Sequence, residues 1–283
     1  MIRRRQALTA WLFLTPAVLF FVLLFFLPIG NQLLTGLYDS DGASFAGLGN
    51  FSRAFRDPEV LHSFLITLAY AAGTLVVGTA VGLGLAVILN QSLRGRTVFR
   101  SVLLIPYLTS VSIIGLLWRN ILDPQVGILN RLLEAAGLPG QTWLSTHPLA
   151  TIVGITVWSG AGYTMVLFLA GLQGIPGLYY EAARIDGAGP WRRFFAITLP
   201  LLAPTTVFVS IIGLISTLQQ FALPYIVTGG GPGNATSLYA HRLFLVAFND
   251  NDFGYASALS LLLLIVVLIL SLVQLRIGDR AHA

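Results

Sequence analysis

The stretch from Tyr255 to Leu275 reads YASALSLLLLIVVLILSLVQL and carries no charged residue. A helix rises 1.5 Å per residue, so about 20 such residues cross the roughly 30 Å of hydrocarbon in a bilayer. Five more runs of this kind precede it: Ala10 to Leu34, Leu65 to Asn90, Ser101 to Trp118, Leu149 to Leu172, and Leu199 to Leu223. None of the six contains Asp, Glu, Lys, Arg or His. Backbone polar groups in lipid must be paired internally, and the runs lack the in/out alternation of barrel strands. The expected fold is all-α, a polytopic membrane protein with six transmembrane helices.

Composition agrees. The 283 residues are 56% hydrophobic and 10% charged, with a mean hydropathy of +0.82, whereas a soluble domain is about 45–50% apolar and about 25% charged. The absence of cysteine excludes disulfides, thiolate catalysis and sulfur-ligated metal sites. All 16 basic residues are arginine, which leaves no lysine for a Schiff base or a phosphate-binding P-loop. Nucleotide chemistry must then belong to another chain. The pI near 9.9 does not point to nucleic acid, because the arginines sit in small groups at the ends of apolar runs.

Arg3, Arg4 and Arg5 could head a signal peptide, but the run from Trp11 to Pro28 exceeds an apolar core of about 7–15 residues and no A-x-A-like site follows. It is read as the first span. Arginine bias sets orientation. With the N-terminus cytoplasmic, the inner side collects Arg3, Arg4, Arg5, Arg94, Arg96, Arg100, Arg184, Arg192, Arg193, Arg276 and Arg280. The outer side keeps Arg53, Arg56, Arg119, Arg131 and Arg242, together with most acids, among them Asp39, Asp41, Asp57 and Asp252. Both termini are then cytoplasmic. Gly78 and Gly82, four apart in the second span, predict close helix approach. Pro16, Pro28, Pro106, Pro200 and Pro204 permit kinks. His62, His147, His241 and His282 are scattered in or near outer loops and the tail without catalytic partners, and are read as solvated. Spans without buried acids or histidines argue against an ion-coupled secondary transporter, and scattered histidines against an intramembrane enzyme.

The inner loop between the fourth and fifth spans is the most informative. Pro176 can end a span, Leu178 to Ile185 can form about two turns, and Gly187 and Gly189 break them. Leu178, Tyr179, Ala182 and Ile185 recur at helical spacing, with Glu181, Arg184 and Asp186 around them. Spacing alone leaves open whether this face meets a protein partner or lies on the bilayer surface.

Glu181-Ala182-Ala183, three residues, Gly187, nine residues, Ile197, one residue, Leu199 and Pro200 reproduce the E-A-A-x3-G-x9-I-x-L-P signature. In this the sequence resembles the permease subunits of binding-protein-dependent ABC importers. The resemblance implies one permease domain over residues 1–283, multi-pass in the bacterial cytoplasmic (inner) membrane, with residues 171–200 as a cytoplasmic coupling loop. It also implies that the short helix docks in a groove of an ATPase subunit. Glu181 would pair with a basic group there, Ala182 and Ala183 would permit close approach, Asp186 would lie at the contact, and Gly187 would supply the turn. Implied partners are a second permease of similar fold, an ATPase pair and an extracytoplasmic solute-binding protein. That protein would dock on the loops around Gly229 to Gly233 and Asp123 to Leu144. No cofactor is expected in this chain, which is not an enzyme, since ATP and Mg are held by the partner ATPase.

The resemblance is closest to the sugar and glycerol-phosphate branch, the maltose-type first permease in particular. It rests on Leu14-Thr15-Pro16-Ala17, Gly47-Leu48-Gly49-Asn50-Phe51, Leu103-Leu104-Ile105-Pro106-Tyr107 and Ile226-Val227-Thr228-Gly229-Gly230-Gly231-Pro232. The chain differs from the maltose permease in having no extra N-terminal spans and no large outer domain. Ungapped alignment carries that family's sugar contacts onto Gly160, Tyr163, Gly213, Thr217 and Gln220. From the residues themselves, Trp158 and Tyr163 offer stacking faces and Thr217, Gln219 and Gln220 offer hydrogen bonds; interhelical bonding is the other reading. Spans without ionised groups favour a neutral solute, a sugar or polyol, and the resemblance implies that it moves inward by alternating access. Arg119 and Arg242 keep glycerol-3-phosphate and glycerophosphodiesters open.

Overall fold

The computed structural model describes residues 2–40, 42 and 44–280. Asp41 and His282, named above, lie outside them. Helix α1 (Ile2–Phe21) runs through a π turn at Val22–Phe26 into α2 (Leu27–Gly36). Pro28 has no N–H for the carbonyl of Leu24, and the Leu27 N–H reaches back five residues to Val22 O, widening the turn. After α3 (Gly49–Ala54), α4 (Pro58–Leu89) starts well ahead of the expected Leu65. Asp57 explains the early start: its Oδ1 accepts the N–H groups of Glu59 at 3.0 Å and Val60 at 3.3 Å. Pro58 and Glu59 then suit the first turn.

The third span is not one straight helix. Helices α5 (Arg96–Leu108) and α6 (Val111–Ile121) meet at 96°, which corrects the expected run from Ser101 to Trp118. Pro106 leaves the carbonyl of Val102 without its helical donor, and Thr109 and Ser110 are extended, with ψ of 143° and 134°. The Thr109 hydroxyl donates to Ile105 O at 2.8 Å, meeting a carbonyl that the break releases.

Helices α7 (Ile128–Ala135) and α8 (Trp143–Thr146) lead to α9 (Pro148–Gln173), and α10 (Gly177–Ile185) follows. The fifth span then begins at α11 (Pro190–Arg193), passes a π turn at Phe194–Thr198 and α12 (Leu199–Leu201), and bends by 63° into α13 (Ala203–Leu218). Pro204 cannot donate to the carbonyl of Pro200, which accounts for the bend. The expected straight run from Leu199 to Leu223 is thereby corrected at both ends. Within residues 171–200, Gly171 to Gln173 continue α9 and Pro190 opens the next helix, so the segment between the two is shorter than that range. The chain ends with α14 (Ala222–Thr228), α15 (Tyr239–Phe248) and α16 (Phe253–Arg280). By length and composition, the described residues hold four long apolar helices and two bent pairs, which make the six expected crossings when each bent pair is one span.

The chain divides into two compact units, Met1–Leu61 with Leu243–Ile265, and His62–Arg242 with Val266–Ala283. In the first, Gln32 Nε2 donates to Ser260 Oγ at 2.7 Å and Gly36 lies against the backbone of Ala258. A polar lock closes one end. Arg53 pairs with Asp252 at 2.7 Å and lies 3.9 Å from the centre of the Tyr255 ring, while the Tyr255 hydroxyl donates to Asp57 Oδ2 at 3.0 Å. Asp252 also caps α16 through the Tyr255 N–H at 3.1 Å. The face from Trp11 to Leu34 is exposed and apolar almost throughout, as a lipid- or partner-facing helix requires.

The second unit has two dry cores. One gathers Tyr70, Ile114, Leu122, Ile152, Ile155, Leu223, Val227 and Leu238; the other gathers Ala86, Leu89, Met165, Phe168, Leu169, Leu172, Leu202 and Val209. The glycines of α4 pack as their spacing predicts. Gly73 and Gly78 lie against Val153 and Val157, and a Cβ on Gly82 would run into Thr164.

His241 is a correction. It is 2% exposed rather than solvated, because the turn after α14 wraps it. Gly229 and Gly230 have φ of +61° and +88°, and a Cβ on Gly230 would stand 2.6 Å from His241 Cε1. The ring lies among Phe221 and Tyr225, with Nδ1 3.3 Å from Ser237 Oγ. Burial, then the neighbouring Arg242 charge, push its pKa below the ordinary 6.5. Protonation therefore favours the unfolded chain. Stability contributed by the neutral ring is whole above pH 6.5 and is lost as pH falls through the lowered folded value. Thermal unfolding in detergent between about pH 5 and 8 should show this acid-side loss, and His241→Gln should flatten it; an unchanged profile in the variant would assign the loss elsewhere.

Candidate functional site

Between the two dry cores, midway along α4, α9 and α13, lies a cavity of about 230 Å³. Its walls are Thr74, Leu75 and Thr79 of α4, Tyr107 of α5, Thr156, Ser159, Gly160, Tyr163 and Thr164 of α9, and Gly213, Ser216 and Thr217 of α13, among others. Among the described residues, no charged side chain lines it. Four of the five expected solute residues meet here. Nothing stands within 4 Å of the Cβ position of Gly160, whereas a Cβ on Gly213 would come 2.6 Å from Leu75 Cδ2. Gly213 thus also allows α13 to approach α4. The Tyr163 ring stacks on Tyr107, with centroids 4.4 Å apart and planes 7° apart.

Gln220 is placed elsewhere. It lines an adjoining chamber of about 120 Å³ with Pro106, Thr109 and Leu223, and the two chambers share Tyr107, Thr156 and Ser159. Gln219 is exposed beyond the end of α13. Trp158 does not line the cavity and instead meets Trp118 edge to face at 5.4 Å.

The hydroxyls have a common polarity. Thr217 donates to Gly213 O at 2.9 Å or Leu214 O at 3.0 Å, Ser159 to Thr156 O at 3.0 Å, and Thr156 to Ile152 O at 2.9 Å. With that hydrogen engaged, the 2.8 Å contact between Thr156 Oγ1 and Tyr70 has the tyrosine as donor. These threonines and this serine satisfy helix carbonyls and keep lone pairs for a ligand. Matching had found Thr217 but missed Thr156 and Ser159, yet Thr156, Ser159 or Gly160, and Tyr163 stand at i, i+3 or i+4, and i+7. That polar face in an apolar span was a readable signal.

The residues expected to meet an ATPase subunit lie on α10 and its end. Leu178, Tyr179 and Ile185 are exposed, the last at 87%. Glu181, Ala182 and Asp186 are exposed beside them and Ala183 is half-buried. Gly187 has φ of +72°. Its N–H donates to Arg184 O at 3.1 Å, and the Ala188 N–H to Ala183 O at 2.8 Å, a complete Schellman cap. Tyr180 faces inward, its hydroxyl 3.0 Å from Thr198 Oγ1, and ties α10 to the π turn that opens the fifth span. The rest of α10 offers an apolar face with acids at its rim.

Residues 77–282 match the family described as binding-protein-dependent transport system inner membrane component. A trehalose/maltose transport system permease protein of Thermococcus litoralis is 33% identical, with 98% of this chain and 96% of that one covered. An sn-glycerol-3-phosphate transport system permease protein of Agrobacterium fabrum is 31% identical, with 88% and 87% covered. Among solved structures, a chain of a bacterial alginate ABC transporter, in complex with an alginate pentasaccharide-bound periplasmic protein, superposes with a TM-score of 0.84. It is 21% identical, covers 99% of this chain and 96% of its own, and shows the shared fold. Six apolar crossings, the E-A-A loop and these likenesses coincide over nearly the whole chain. The chain belongs to the binding-protein-dependent inner-membrane components of ABC importers, permease subunits without catalytic activity of their own.

Proposed function

We propose that this chain is one of two permease subunits that carry a neutral polyhydroxylated solute, a sugar or polyol, inward by alternating access. The observation that carries this reading is the mid-span cavity, walled by hydroxyls and a tyrosine stack and by no charged group. Lone pairs on Ser159, Thr156 and Thr217 suit a ligand rich in O–H donors, and the exposed part of the tyrosine stack suits a pyranose face. A phosphate offers acceptors and negative charge, which this lining does not answer. Arg119 and Arg242, which kept the glycerol-phosphate reading open, line neither chamber. A volume of about 230 Å³ is below the roughly 300–1,000 Å³ of complete small-molecule sites, which suits a site finished by a second permease.

Arginine bias supports cytoplasmic termini and a cytoplasmic α10. There Glu181, Ala182, Ala183, Asp186 and Gly187 would meet an ATPase pair that binds ATP and Mg, while a solute-binding protein docks on the opposite face. Sites of this kind near the middle of a bundle serve both faces in turn. Tyr163→Ala tests the pocket by solute uptake in proteoliposomes. Loss of one stacking face, about 0.5–1.5 kcal/mol, predicts weakening of apparent affinity by about 2- to 10-fold with basal ATP hydrolysis retained. Unchanged uptake at limiting solute would remove the cavity from the path.

A further inference from the structure

A second cavity, of about 360 Å³, opens beside α10 and is lined by Asn90, Gln91, Tyr180, Arg184, Arg193 and Thr198, among others. It holds two guanidinium groups and two amides, with no carboxylate among its lining residues. Arg193 Nε is buried and has no hydrogen-bond partner among the described residues. A guanidinium N–H withdrawn from water and left unpaired is costly, so an acceptor from outside the chain is called for. The C-terminal end of α4, whose free carbonyls would repel an anion, is capped by Arg100 Nη2 on Leu89 O at 2.7 Å.

The surroundings select the source of that acceptor. Trp191, 77% exposed, stacks with Phe195, 59% exposed, at 6.3 Å, and Arg192 lies next to them in sequence. Exposed tryptophan with arginine is the pattern of side chains at the level of lipid headgroups. A planar, always charged guanidinium matches phosphate oxygens in paired hydrogen bonds. We propose that this cavity holds the phosphate of an anionic phospholipid from the leaflet that carries α10, and that the lipid braces the coupling helix against the base of the fifth span. The site stands on the membrane-embedded family assignment and is independent of the solute.

The test is lipid retention by the full chain purified with its partner subunits, delipidated and examined by native mass spectrometry with phosphatidylglycerol or phosphatidylethanolamine. Wild type should retain phosphatidylglycerol preferentially. The double variant Arg184→Gln/Arg193→Gln should lose about tenfold or more of that occupancy, as removal of charge-assisted bonds predicts. Arg193→Lys, which keeps the charge but loses the paired bonds of the guanidinium, should retain more of it than the double variant and less than wild type. Equal occupancy by both lipids, or equal phosphatidylglycerol occupancy in the double variant, would overturn the site. Displacement by millimolar inorganic phosphate would overturn the lipid as the source in favour of a free anion. Loss of the ATPase subunit from the double variant with lipid occupancy unchanged would make the arginines a protein-docking surface and overturn it as well.

Discussion

Gly187→Val is expected to cut solute uptake by tenfold or more while the mid-span cavity stays intact and ATP hydrolysis continues. At φ of +72° the residue is in the left-handed region, where a side chain costs about 1–2 kcal/mol and a β-branched one more. The strain falls on a helix of nine residues, too short to hold itself without its cap and tertiary contacts. Relieving it would break the bonds from Gly187 N–H to Arg184 O and from Ala188 N–H to Ala183 O. Glu181, Ala182 and Ala183 would then be presented at an altered angle, and closure of the ATPase pair would no longer be transmitted. Gly187→Asn, which tolerates this backbone, should retain most uptake. Measuring uptake and ATP hydrolysis in the same proteoliposomes separates uncoupling from loss of assembly; normal uptake by the valine variant would remove Gly187 from the coupling path.

Gly162→Ala should be the most damaging single methyl in the second unit. A Cβ there would lie 2.5 Å from the carbonyl carbon of Leu103 and 2.9 Å from Leu104 N. These are backbone atoms of α5, which cannot swing aside as a side chain can. Overpacking of this kind costs about 1–3 kcal/mol or more. Relief would displace α5 and with it Tyr107, one turn further along, from its stack on Tyr163. A fall in thermal midpoint and in solute affinity together is expected. Gly154→Ala is the matched control, since nothing stands within 4 Å of that Cβ position, and it should be neutral or slightly stabilising through helix propensity. Equal midpoints for the two variants would show that α5 and α9 are not so closely apposed.

Much of this was legible in the sequence because lipid reduces the choices. Uncharged runs of sufficient length must be helical, and their number followed from hydropathy alone. The turn at Gly187 was legible because glycine after a short amphipathic helix has few other uses. Bends were less so. Pro106, Pro200 and Pro204 permitted kinks, but the 96° and 63° angles depend on what surrounds the freed carbonyls, which no local pattern states. The cavity was half legible. Gly160, Tyr163, Gly213 and Thr217 fall on its wall, but Tyr107 is brought there only by the break after α5. Gln220 is moved to the next chamber because α13 stops at Leu218. His241 misled because its burial is supplied by residues 221–237, not by its own helix.

Stimulation of ATP hydrolysis by solute, in the reconstituted complex of both permeases, the ATPase pair and the binding protein, tests the neutral-solute assignment most directly. A neutral sugar or polyol should raise turnover, with the response lost in Tyr163→Ala. Stimulation by glycerol-3-phosphate or glycerophosphodiesters alone would contradict it and turn attention to Arg119 and Arg242.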